Sequence, residues 1–83
     1  DKMYSNILDM VMQDKSSILT DRVISKIEFN QLERRFIELY YEKRMTLDNV
    51  AKLMLFFDMI AKKHNKMTIY IVLKFYVKQL LIL

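Results

Sequence analysis

The chain has 83 residues, a net charge of +4, and no cysteine, glycine or proline, which bounds it to one small domain around one core. Without cysteine there is no disulfide framework and no thiolate metal site, so an intracellular setting is expected, nucleus and cytoplasm being indistinguishable at this level. With a single histidine, no cysteine and no glycine, the chain is poor in the nucleophile–base pairs and tight turns of nucleophilic catalysis, so no enzyme, cofactor or metal site is expected.

The excess charge is unevenly placed. Residues 1–44 hold equal numbers of acids and bases, whereas residues 45–83 hold two acids, Asp48 and Asp58, against Lys52, Lys62, Lys63, Lys66, Lys74 and Lys78. Such a half can attract an acidic protein, an anionic membrane or a nucleic acid, or be a solvated lysine surface. Only two alanines accompany many Lys, Ile, Met, Tyr and Phe residues, a bias that suits an AT-rich genome. The opening Asp1-Lys2-Met3 has no signal or transit pattern, so the chain reads as a segment, residues 1–83, of a larger protein. Its longest apolar stretch, Ile69–Leu83, contains Lys74 and Lys78 and is too short to span a bilayer.

At 100° per residue, Met3, Tyr4, Ile7, Leu8, Met10 and Val11 share one face, predicting an amphipathic helix over residues 2–13. Asp14-Lys15-Ser16-Ser17 reads as a loop. Thr20 and Asp21 offer an N-cap to a short helix carrying Val23, Ile24 and Ile27. Asn30 and Glu33 have the spacing of a capping box and would start a third helix near Gln31. Leu32, Phe36, Ile37, Leu39, Tyr40 and Tyr41 form its apolar side. Arg35, Glu38 and Glu42 form a solvated stripe, with Arg34 and Glu38 paired at i,i+4.

Two further helices, Leu47–Lys63 and Ile69–Leu83, follow Thr46 and Thr68 in similar local sequences, each threonine placed to accept a first-turn N–H. The turn between them, His64–Met67, is basic. His64 has no metal-ligating neighbour at i±3 or i±4, and Asn65 can adopt the left-handed conformation in place of glycine. Asp48 with Lys52 and Asp58 with Lys62 are expected as exposed i,i+4 pairs.

On the Leu47–Lys63 helix, Leu47, Val50, Leu53, Met54, Phe57 and Ile60 define a core arc. Leu55, Phe56 and Met59 project instead among Asp48, Lys52, Lys62 and Lys63. That patch is either covered within the domain or a partner groove with a polar rim. The last helix leaves only Tyr70, Lys74 and Lys78 as a wet stripe, so it is either central in the bundle or completed by another chain.

Leu32–Met54, with Glu33-Arg34-Arg35-Phe36-Ile37-Glu38-Leu39 leading into Met45-Thr46-Leu47, resembles the first two helices of the sigma-factor helix-turn-helix. That resemblance implies DNA reading by a helix launched after a turn, but Met54-Leu55-Phe56-Phe57 continues the helix where the turn would stand. Lys63–Val72 is similar to the last loop of a histone fold, without that fold's long central helix. Neither family is assigned.

The expected fold is all-α, a small bundle of four to five short helices with the apolar C-terminal helix in or near the centre. The expected function is a non-catalytic protein–protein interaction or oligomerisation module. It would bind an amphipathic, acidic helix or its own copy through Leu55, Phe56 and Met59, rimmed by Lys52 and Lys62. The alternative is a nucleic-acid-binding domain that contacts phosphates through Lys62, Lys63, Lys66, Lys74 and Lys78.

Overall fold

The computed structural model describes residues 2–43 and 45–82. Among them are five α-helices: α1 (Lys2–Met12), α2 (Asp21–Ser25), α3 (Phe29–Lys43), α4 (Leu47–His64) and α5 (Met67–Ile82), with a 3₁₀ turn at Ser16–Ile18 between α1 and α2. The expected all-α bundle is formed. Leu83, which the sequence reading places at the end of the last helix, lies outside the described residues.

The helix ends show how a chain without glycine turns its corners. Asp14 and Asn65 both have positive φ, 60° and 57°, the left-handed region that Asp and Asn enter more readily than other residues with a Cβ. Behind each, an amide reaches back to close the preceding helix: Lys15 N–H to Met10 O at 2.8 Å, and Lys66 N–H to Ala61 O at 2.8 Å. These reach-back bonds satisfy carbonyls that would otherwise be orphaned at the helix C-terminus. Thr20 and Thr46 cap α2 and α4 as expected, accepting from Val23 N–H and Asn49 N–H.

Two expected starts are corrected. Asn30 does not cap α3, because the helix already begins at Phe29. The Glu28 carbonyl takes the first-turn amides of Gln31 and Leu32 at 3.1 and 3.0 Å, and the Glu28 amide donates to the Tyr4 hydroxyl at 3.0 Å. Tyr4 of α1 thus holds the residue that precedes the helix. Thr68 likewise lies inside α5, whose first turn is closed by Tyr70 N–H to Lys66 O at 3.0 Å. Asn65 reverses the chain so abruptly that the helix restarts before the threonine.

The core is built on α4, which packs against α1, α3 and α5. At its middle, Phe57 meets Phe29 and Phe36 edge to face, with ring centroids 5.5 and 5.4 Å apart, the geometry that aromatic quadrupoles favour. Leu8, Leu32, Leu39, Leu53 and Ile60 complete the layer, all fully buried. Leu47, placed in the core arc from its spacing, is exposed. As the first helical residue after Thr46, it stands beyond the end of the packed layer.

Helix α4, not α5, holds the central position. Helix α5 rests on α4 through Tyr70, Leu73 and Val77 and touches α3 where the Tyr76 and Tyr41 hydroxyls meet at 3.0 Å. Tyr70, expected on a wet stripe, is buried, and its hydroxyl donates to the Met54 carbonyl at 3.2 Å. Its aromatic body suits the interface, and the carbonyl satisfies its one polar atom.

Candidate interaction site

Two surfaces of the bundle leave large apolar groups open. The first is a groove of about 520 Å³ between α4 and the Ser16–Ile18 turn with α2. Leu55, Phe56 and Met59 line one wall, so the structure brings together the three apolar residues singled out on α4. They are not equivalent. Phe56 is only 5% exposed and belongs to the core, Met59 is half-buried, and Leu55 is 74% exposed. Burial removes Phe56 as an accessible anchor, because it joins the core cluster that also holds Val11 and Ile24.

The rim also differs from expectation. Lys52 is on it, but Lys62 is not among the lining residues, and Lys63 takes its place. Lys62 pairs with Asp58 at 3.0 Å, the expected i,i+4 contact. Lys52 pairs with Asp14 at 3.1 Å and Asp48 at 3.3 Å, and the hydrogen bonds its ammonium donates to Asp14 and then Asp48 hold it above the usual lysine pKa. Lys63 pairs with Asp21 at 3.2 Å. Lys52 and Lys63 stand roughly 16 Å apart along α4. The groove is therefore bracketed by two cross-element ion pairs and is close to electrically neutral.

The second surface is the outward side of α5. At 100° per residue, Tyr70, Leu73 and Val77 point to α4, and Ile71, Phe75 and Ile82 point to the opposite side with Val72 beside them. Val72, Phe75 and Ile82 are 63%, 65% and 73% exposed. Ile71, Lys74, Phe75 and Lys78 line a recess of about 290 Å³ on this side. No carboxylate among the described residues pairs with Lys74 or Lys78, and α5 itself contains no acid. Lys74 lies 5.5 Å from the Tyr70 ring centroid.

The sequence leaves this helix either central or completed by another chain and does not say which side stays open, because the helix is apolar almost all round. The signal was present in the spacing: a seam at residues 70, 73 and 77 and a second, opposed seam at 71, 75 and 82. Of the five lysines considered as phosphate contacts, Lys62 and Lys63 are already neutralised, and Lys66, Lys74 and Lys78 have no acid partner among the described residues. The expected solvated stripe on α3 is present, but Arg35 rather than Arg34 pairs with Glu38, at 3.0 Å, while its Nε donates to Ser5 Oγ at 2.7 Å.

His64 is a structural residue here. Its Nε2 lies 3.0 Å from the Ile24 carbonyl oxygen, so the Nε2–H tautomer donates and ties the end of α4 to α2. Among the described residues, no cluster of His, Cys, Asp or Glu could hold a metal ion, and no helix is long and apolar enough to cross a membrane.

The Tyr70 phenol provides a pH-dependent check on how α5 is seated. Burial, with a smaller contribution from the Asp58 charge, pushes its pKa above the usual 10.0. The native state then keeps a proton that the unfolded state loses, so stability is unaffected below about pH 10 and falls as pH rises towards the native value. Thermal melts at about pH 9 and about pH 11 should show this loss, and Tyr70→Phe should reduce its slope. An equal alkaline loss in the variant would mean that α5 is not packed through this ring.

The helix-turn-helix resemblance ends where expected, since α4 continues unbroken through Met54–Phe57 to His64. No family model matches the chain, and no curated protein or solved structure matches it significantly.

Proposed function

We propose that this domain is a non-catalytic protein–protein interaction module that works through an apolar patch rimmed by lysines, the patch being the outward face of α5. The observation that carries this reading is the exposure of Val72, Phe75 and Ile82 on a helix whose other face is already packed. Isolated exposed apolar residues are ordinary, but several on one face of one helix mark a surface that excludes water in a complex. A non-catalytic role is supported by the single histidine being engaged with a backbone carbonyl, and by the absence of cysteine and glycine.

The test is recovery of proteins from a lysate of the source organism on the immobilised domain, with and without nuclease, beside a Phe75→Asp variant. Phe75 is largely exposed, so the substitution should leave the fold intact, within about 0.5 kcal/mol. A defined protein that survives nuclease and is lost with Phe75→Asp is the expected result. Recovery that nuclease abolishes would replace this reading with nucleic-acid binding through Lys66, Lys74 and Lys78.

A further inference from the structure

We infer that the occupant of the α5 face is a single acidic amphipathic helix lying along α5, with an apolar side chain seated among Ile71, Lys74, Phe75 and Lys78 and carboxylates beside the two lysines. This rests on the interaction reading above and specifies the partner. The recess of about 290 Å³ is lined by residues at i, i+3, i+4 and i+7 of one helix. That is the diamond of four side chains that receives one knob from a neighbouring helix when helices pack side by side. A concavity of this form fits a protruding side chain.

Charge then selects among helices. Lys52, Lys62 and Lys63 on α4 each already have a carboxylate within 3.3 Å. Lys74 and Lys78, on two of the four corners of the recess, have none among the described residues. They lie one helical turn apart, so acids spaced by three or four residues on the flank of a facing helix would meet both. A second copy pairing through α5 cannot supply them, because α5 carries no acid. The α4 groove, with its lysines neutralised in place, has no such demand.

The test uses two synthetic helical peptides of three heptads, identical in leucine at positions a and d, one with glutamate and the other with lysine at e and g. Binding to the intact domain is read by fluorescence anisotropy at low and high salt. The acidic peptide should bind roughly tenfold more tightly than its basic twin, with the difference shrinking in high salt. Lys74→Glu with Lys78→Glu should reverse the preference, and Phe75→Asp should remove binding of both, with helix content by circular dichroism unchanged.

Equal binding of both peptides, lost with Phe75→Asp, would overturn the acidic-helix inference and leave the interaction face standing. A dimer by sedimentation that Phe75→Asp dissociates would do the same in favour of a second copy. Binding of neither peptide, or binding unaffected by Phe75→Asp, would overturn the inference. Attachment to vesicles of anionic lipid in place of either peptide would overturn both readings.

Discussion

Phe57→Ala is expected to remove about 3 to 5 kcal/mol of stability, a large share of the roughly 4 to 12 kcal/mol that a domain of this length possesses. Phe57 is fully buried on α4 and holds two edge-to-face contacts, to Phe29 and Phe36 on α3. Its removal loses the transfer energy of a whole ring and leaves a void that two rigid aromatic neighbours cannot readily fill. It also loosens the helix that packs against α1, α3 and α5. Urea unfolding followed by circular dichroism should show a midpoint shifted far below that of the unmodified domain. A loss under about 1 kcal/mol would mean that the three rings do not form the centre of the core.

The parts of this architecture that the sequence makes legible are those decided by neighbours along the chain. Thr20 and Thr46 cap their helices because the accepted amide is three residues away. Asn65 ends α4 for a reason intrinsic to its own side chain and backbone. The Asp58–Lys62 and Asp48–Lys52 pairs follow from i,i+4 spacing. What was not legible depends on groups brought in from elsewhere. The residue before α3 is held by Tyr4, 24 residues upstream, and nothing near Glu28 announces that a hydroxyl will accept its amide. Lys63 was separated from Lys62 only by Asp21 arriving from another helix.

The candidate site follows the same division. Periodicity set Leu55, Phe56 and Met59 apart from the main core arc; all three line one groove, but Phe56 belongs to the core. It could not reveal that Phe56 would be taken into the core while Leu55 stayed open. For α5 the difficulty was of another kind. A helix apolar on most of its circumference has little amphipathic signal, so hydrophobicity alone does not say which side meets the bundle. The seam chosen is the one whose single polar atom, the Tyr70 hydroxyl, finds a carbonyl on α4. The opposed seam of Ile71, Phe75 and Ile82 has no polar side-chain atom to satisfy and is left exposed.

Phe56→Ala and Leu55→Ala, adjacent in sequence, are expected to differ by about 1.5 to 4 kcal/mol in their effect. Phe56 is 5% exposed and packs in the core, so its truncation should cost about 2 to 4 kcal/mol. Leu55 is 74% exposed, and its truncation should change stability by no more than about 0.5 kcal/mol. Chemical unfolding of the two variants measures this contrast directly. The pair also bears on function, because Leu55→Ala leaves the bundle intact while removing the most exposed apolar group of the α4 groove. If the α5 face is the working surface, Leu55→Ala should retain the recovered partner and Phe75→Asp should lose it. The opposite outcome would move the interaction site to the groove, with Lys52 and Lys63 released from Asp14 and Asp21 to meet the incoming chain. Similar destabilisation by both substitutions would show that the Ser16–Ile18 turn closes over Leu55 as well, leaving no groove on α4 for a partner to enter.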